Sequence, residues 1–250
     1  MVQVKNSEQL ASMRKAGRIT GEAILVARDH IKEGISTKEL DTIIRNYIEK
    51  CGAKPSFLGY GGFPGSACIS INNEVIHGIP SAKRFLKEGD IVKIDVGAYI
   101  GGFHGDSANT FGVGKISEEA QKLIDVTRES FYRGVAMAAG GKRIGDIGSA
   151  IANYAEGLGY GVVRKFVGHR IGKNLHEDPE VPNFGTAGRG ARLYPGMTIA
   201  VEPMINCGTR EVKVLDDEWT VVTADGSLSA HYEHTIAITD GEPMLLTLVE

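Results

Sequence analysis

Cysteine is scarce. Cys51, Cys68 and Cys207 are odd in number and widely spaced, which argues against a disulfide framework or a zinc finger and fits a reducing cytosol. Long apolar runs are lacking too. Stretches such as residues 23–27 fall far short of the roughly 20 residues that cross a bilayer. The opening residues 1–8 have no apolar core of the kind a signal peptide carries. Nor is there a surplus of positive charge. A formal net charge of −3 leaves no electrostatic case for nucleic acid or an anionic membrane as partner. What is present is 250 residues, 42% of them hydrophobic, enough to bury a core. The 33 glycines lie at turns and form no low-complexity block.

Apolar spacing predicts a helix over 7–33, capped by Ser7 or Asn6, and a second over 37–50 whose buried stripe is Leu40, Ile43, Ile44, Tyr47 and Ile48. Gly52 stops the second helix. Residues 54–65 read as a loop rich in glycines and aromatics. Strands over 67–71 and 74–77 are expected to form a hairpin about Asn72-Asn73. Further helices are expected over 117–139 and 144–158, and a strand over 162–167 leading into Gly168-His169. A long loop over 172–195 follows, of a length that is usually functional. Strands over 197–205, 211–215, 219–223 and 233–239 complete the pattern.

Ahead of the third helix, Val92-Lys93-Ile94-Asp95-Val96-Gly97 reads as a buried strand, and Phe103-His104-Gly105-Asp106 as its return. A carboxylate at Asp95 must be paired, hydrogen-bonded or bound to metal, because burying it bare is costly. Asp106 lies eleven positions on, where a short hairpin brings it alongside. Taken alone, both aspartates serve equally well as turn or cap residues.

The two halves resemble each other. A shift of 107 carries Gly34, Ile44, Asn46, Tyr47, Glu49 and Gly52 onto Gly141, Ile151, Asn153, Tyr154, Glu156 and Gly159. The same shift places Gly89 on Gly196, Ile94 on Val201 and Asp95 on Glu202. A shift of 99 places His77-Gly-Ile-Pro80 on His176-Glu-Asp-Pro179. These matches imply two α/β halves, about 1–115 and 116–250, related by an approximate twofold within a single domain over 1–250, with a site on the axis.

Glu202 and Glu233 each sit beside an apolar strand, and His169 follows Val167-Gly168. A strand-end glutamate is more often a surface residue, and a lone histidine more often hydrogen-bonds than ligates. Together with Asp95 and Asp106, however, they make four carboxylates and one imidazole. Four carboxylates cannot ionise together in a dry site without cations. Two divalent ions balance their charge, which matches a hydrolase whose ions lie roughly 3.5–4 Å apart. Oxygen-rich ligation with one nitrogen points to manganese, iron(II) or cobalt more than to structural zinc.

Seven separated runs, in order, resemble those of type I methionine aminopeptidases: Asn73–Pro80, Ile94–Gly97, Phe103–Ser107, Gly168-His169, His176–Pro179, Val201–Met204 and Ser229–Thr235. The resemblance covers essentially the whole chain. It implies the pita-bread α/β fold, an antiparallel-rich central sheet with helices outside and internal pseudo-twofold symmetry. It implies that Asp95, Asp106, His169, Glu202 and Glu233 ligate two divalent ions, Asp106 and Glu233 bridging them. It makes Glu202 the proton shuttle for the attacking water, places His77 at the scissile amide nitrogen, and places His176 at the developing oxyanion. The substrate's first side chain would be surrounded by Tyr60, Phe63, Cys68 and Trp219, with Phe57 as a bulkier wall where the family often has a small residue. Cys68 is read as a pocket thiol and no nucleophile.

Other departures are Gly101, Arg170, Leu175 and His231. Arg170 replaces a common glycine beside His169 and is expected to narrow the entrance or attract substrate carboxylates. His231 replaces a frequent glutamine and is expected to hydrogen-bond a ligand. The implied activity is cytoplasmic removal of the initiator methionine from nascent polypeptide N-termini, by a monomer. A transient ribosome contact would rest on basic residues such as Lys5, Arg14 and Lys15. A proline-directed aminopeptidase or prolidase of the same fold is the rival within the fold, though these usually carry a further N-terminal domain. A non-catalytic binding module is the rival outside it, though such relatives lose ligands that are all retained here.

Overall fold

The computed structural model describes residues 4–249, so Met1–Gln3 and Glu250 lie outside the described residues. Four helices surround the sheets: α1 (Ser7–Arg28), α2 (Thr37–Lys50), α3 (Glu118–Val135) and α4 (Ile144–Gly157). The strands of the first half are β1 (Lys54–Pro55), β2 (Ala67–Ile71), β3 (Glu74–Ile76), β4 (Ile91–Ile100) and β5 (Phe103–Gly112). Those of the second are β6 (Gly161–Val162), β7 (Gly168–Arg170), β8 (Glu177–Val181), β9 (Thr198–Val201), β10 (Met204–Asn206), β11 (Val212–Val214), β12 (Val221–Thr223), β13 (Ser229–His231), β14 (Glu233–Ala237) and β15 (Met244–Leu245). None of the described helices is long and apolar enough to cross a membrane.

The expected α/β architecture is present. One antiparallel sheet runs β1-β4-β5-β14-β9-β7-β8, with β2 also on β4 and β15 on β14. Its core is the ten-residue β4–β5 ladder, in which Gly97 opposes Asp106 and Asp95 opposes Ala108. Gly101 and Gly102 turn it with positive φ of 61° and 85°, the backbone a two-residue hairpin prefers. The other half enters through β14, which pairs with both β5 and β9. Two three-stranded sheets, β13-β10-β6 and β11-β12-β3, flank this one.

The repeat is visible in the elements. α4 begins and ends 107 residues after α2, and α3 ends 107 residues after α1. Gly52 and Gly159 follow α2 and α4 with φ of 72° and 88°, left-handed stops at equivalent places. Each half has its own apolar cluster. Leu40, Ile44 and Ile48 of α2 pack on Ile69, Ile94 and Val96, while Ile147 and Ile151 of α4 pack with Ile199, Val201 and Ile236.

Several expectations need correction. α1 stops at Arg28 and not at 33. Its cap is Asn6, in a reciprocal pair with Gln9. The chain does reverse at Asn72, with φ 51°, but β2 and β3 do not form a ladder. β2 pairs with β4, and β3 joins β12 in a different sheet. Residues 163–167 are not a strand, whereas the long loop contains β8, paired with β7. The span 197–205 splits at Glu202-Pro203, where β9 ends in the large sheet and β10 starts in a small one. Proline has no N–H to offer a ladder there.

α1 lies in a tight slot. A Cβ on Gly17 would stand 2.3 Å from the Leu246 carbonyl oxygen, and one on Gly21 2.2 Å from that of Thr247. Arg14 Nη1 donates to the carbonyls of Leu245, Leu246 and Leu248 at 3.0, 2.7 and 2.9 Å. Helix and C-terminal segment therefore meet backbone to backbone. Gly17→Ala or Gly21→Ala should destabilise the fold by about 1–3 kcal/mol, read as a lower urea midpoint. Unchanged midpoints would show that the segment does not hold this position.

Candidate metal centre

The acidic side chains stand where strands meet or leave a sheet. Asp95 and Asp106 come from facing strands of the β4–β5 ladder. Glu202 sits between β9 and β10, and Glu233 opens β14 just after β13 ends at His231. Each pair of strands belongs to two different sheets, so both glutamates sit where the chain passes from one sheet to the other. Side-chain bonds lock the frame. Thr235 Oγ1 accepts from Asp106 N at 3.0 Å and donates to Asp106 O at 2.8 Å. Ser107 Oγ donates to Glu233 O at 2.6 Å, and Asn183 Nδ2 to Glu202 O at 2.9 Å.

His169 is brought in by β7. Its Nδ1 lies 2.9 Å from the Arg170 carbonyl oxygen. A carbonyl only accepts, so Nδ1 carries the hydrogen and Nε2 presents a bare lone pair. That Nε2 lies 3.8 Å from Asp106 Oδ2 and 3.7 Å from Glu202 Oε1. On the other side, His231 Nε2 lies 3.7 Å from Glu202 Oε2 and 3.9 Å from Glu233 Oε2. The ligand atoms of Asp106, His169 and Glu233 lie within 4.8 Å of one another, and so do those of Asp95, His231 and Glu233.

The electrostatics are those of a site suited to cations. Burial drives Asp95 up to about 7. Burial and then neighbouring carboxylate charge push Asp106, Glu202 and Glu233 well above the usual carboxyl range. Burial, then the charge of His176, lowers His169 to about 4, which keeps it neutral. Asp95 Oδ1, Asp106 Oδ1 and Glu233 Oε1 are buried with no hydrogen-bond partner among the described residues. Unpaired buried acceptors cost about 1–3 kcal/mol each, and more when charged. Divalent cations remove that penalty and the mutual repulsion together. The donor set fits them.

Above these groups is a cavity of about 200 Å³. All twelve residues singled out in the sequence line it: the five acid and imidazole groups, His77, His176, Phe57, Tyr60, Phe63, Cys68 and Trp219. Gly61 and Leu175 line it as well. Phe63 meets Trp219 edge-on at 5.1 Å between ring centroids. His77 holds φ 60°, an uncommon conformation for a residue with a side chain and one that clusters at functional sites. Burial, then the charge of His176, takes it to about 4. Tyr60 Oη lies 2.7 Å from His176 Nδ1. Burial, then the charge of Asp106, raises the phenol, so it keeps its proton and can donate it to Nδ1. His176 then keeps its own hydrogen on Nε2. Burial and the charges of Asp95, Asp106 and Glu233 push the Cys68 thiol well up, which suits a wall and not a nucleophile.

Arg170 does not narrow the entrance. It is buried outside the cavity lining, donating to Asp178 O at 2.7 Å and to Glu177 Oε2 at 3.0 Å. Glu177 also takes Lys5 Nζ at 3.2 Å. Lys5 is thus a buried tie to the segment after His176, and Arg14 is bonded to the C-terminal carbonyls. His231 is the residue underestimated from sequence. It was expected to hydrogen-bond a ligand, but neither of its ring nitrogens has a hydrogen-bond partner among the described residues. The sequence signal for it is its nearness to Glu233, two positions on.

The family model "Metallopeptidase family M24" matches residues 11–240. A protein of Clostridium acetobutylicum named "Methionine aminopeptidase" is 54% identical over 250 residues, covering 100% of both chains. The solved structure of a methionine aminopeptidase from Thermotoga maritima superposes with a TM-score of 0.98 at 42% identity, covering 100% of both chains. A prolidase from Pyrococcus furiosus superposes at 0.80 with 24% identity, covering 99% of this chain and 66% of that one, a likeness of fold alone. The architecture is the pita-bread fold.

The raised carboxyls make metal binding pH-dependent. Below about 7 the metal-free site holds protons that ligation must expel, so affinity should climb as pH rises through that value. His169, neutral above about 4, adds no proton. Calorimetric titration with Mn(II) at pH 6, in two buffers of different ionisation enthalpy, should show net proton release. Its absence would mean that the carboxyls are not the ligands.

Proposed function

Because the chain belongs to metallopeptidase family M24, we propose that it is a methionine aminopeptidase, a metal-dependent hydrolase that removes the N-terminal methionine from nascent proteins and peptides whose second residue is small. The observation that carries this reading is one cavity in which a cluster of four acids and a bare imidazole nitrogen forms one side and an aromatic and thiol wall the other. At about 200 Å³ it is smaller than the roughly 300–1,000 Å³ of pockets that take drug-sized ligands, and suits one side chain. Phe57, Phe63, Trp219 and Cys68 offer aromatic faces and sulfur to an unbranched thioether.

Asp95, Asp106, His169, Glu202 and Glu233 would hold two divalent ions, with manganese, iron(II) and cobalt suiting the oxygen-rich donor set. Bound there, such ions supply Lewis-acid polarisation of a carbonyl and a water of lowered pKa. Glu202 takes the proton of the attacking water and delivers it to the leaving amine. His176, with its tautomer set by Tyr60, points an Nε2–H donor at the developing oxyanion. His77, held neutral, contacts the scissile amide nitrogen. Burial of the acid groups keeps bulk water from competing. A cytoplasmic monomer acting on chains as they leave the ribosome fits this activity.

Peptides beginning Met-Ala, Met-Lys, Ala-Pro and Leu-Ala, offered with Mn(II), Co(II) or Fe(II), test the reading. Met-Ala should be cleaved fastest, and cleavage of Ala-Pro with Met-Ala left intact would favour a proline-directed enzyme. Asp106→Ala or Glu233→Ala should abolish turnover and weaken metal binding. His176→Ala should lower kcat by roughly 10²–10³-fold; an unchanged kcat would refute its role at the oxyanion.

A further inference from the structure

His231 is 1% exposed, at the point where β13 hands over to β14. Its backbone is fixed, with Thr110 Oγ1 accepting from His231 N at 3.0 Å and donating to His231 O at 2.8 Å. Its ring lies beside the Glu233 carboxylate, Nε2 3.9 Å from Oε2. Neither ring nitrogen has a hydrogen-bond partner among the described residues. A buried imidazole with both ring nitrogens unbonded is placed to take a ligand.

The distances say what that is. A hydrogen bond from an imidazole to a carboxylate oxygen spans about 2.7–3.2 Å. His231 Nε2 stands 3.7 and 3.9 Å from Glu202 Oε2 and Glu233 Oε2, too far for one. Two donors each about 2.1 Å from one ion lie roughly 3–3.6 Å apart, within a few tenths of an ångström of those separations. His169 shows the same relation, at 3.8 and 3.7 Å from Asp106 and Glu202. The Glu202 carboxylate therefore lies between two imidazoles, with Oε1 toward one and Oε2 toward the other. Asp95, His231 and Glu233 form a ligand group equivalent to that of Asp106, His169 and Glu233.

We propose that His231 is a sixth protein ligand, which gives the ion on the Asp95 side an imidazole of its own, as His169 does for the ion on the Asp106 side. The inference rests on the two-ion reading above. The Nδ1 of His169 is anchored on a carbonyl, whereas that of His231 has no such acceptor. An unanchored imidazole is the weaker ligand, so His231 belongs to the second ion to bind.

The test is proton NMR of the protein loaded stepwise with Co(II). Each ligated imidazole gives one hyperfine-shifted ring N–H signal that disappears in D2O. One equivalent should give one signal, from His169, and two equivalents a second, from His231. His231→Gln should lack the second signal and bind the second Co(II) at least about tenfold more weakly. A single signal at both loadings of the unaltered protein overturns the proposal, and so does a His231→Gln variant that keeps both signals. His169→Ala should lose the first signal and keep the second. Asp106→Ala separates the levels: unchanged uptake of both ions would sink the two-ion reading itself.

Discussion

Mutual repulsion among four carboxyl groups held away from water is the constraint on which the rest of this structure depends. No arrangement of these side chains relaxes it, because all four carboxyls line one small cavity. It is countered by stiffness and by neutral neighbours. The ten-residue β4–β5 ladder fixes two of the groups, and hydroxyl and amide bonds to the backbone beside Asp106, Glu202 and Glu233 fix the others. The histidines around them are held uncharged by burial. A frame this rigid keeps oxygens close that would otherwise move apart, and so preserves the affinity for cations that draws metal in.

The twofold repeat is how one chain builds such a frame. Each half contributes helices that end 107 residues apart and an apolar cluster of its own. Each also brings acids and a histidine of the His-x-x-Pro pattern to the shared seam. The halves are not copies at the level of ligands. Asp95 and Asp106 face each other across one hairpin, while Glu202 and Glu233 lie where two strands cross between sheets. In the second half both acids stand at sheet-switching points, and His231 ends the strand before one of them.

Much of this was legible because the signals were local. α2 was readable from a five-residue apolar stripe and a stopping glycine, and the β4–β5 hairpin from two runs about Gly101-Gly102. The acids stood out because each interrupts β-type sequence. Partnering over long range was not legible. Asn72-Asn73 announces a reversal but not that β3 will leave for Val221 and Val222. Lys93 reads as part of a buried strand, but nothing local says that it will be 1% exposed with Nζ on the Asn72 carbonyl at 2.7 Å. Lys5 reads as a ribosome contact and Arg170 as a residue that narrows the entrance or draws substrate carboxylates, and both are buried around Glu177, 172 residues from Lys5. Charge says nothing of destination when the partner is so distant in sequence.

The slot that holds α1 bears on the order in which the molecule can be completed during synthesis. α1 is made first, and its glycine face is covered by Leu246 and Thr247. Thr247 Oγ1 also lies 2.8 Å from His234 Nδ1 and accepts from Thr235 N at 3.2 Å, on the strand that carries Glu233. A ribosome delivers residues one at a time, so α1 waits for residues 246–247 to emerge before its glycine face is covered. The frame around the acids is therefore closed late, by a contact between segments 231 or more residues apart that no growing polypeptide can make early.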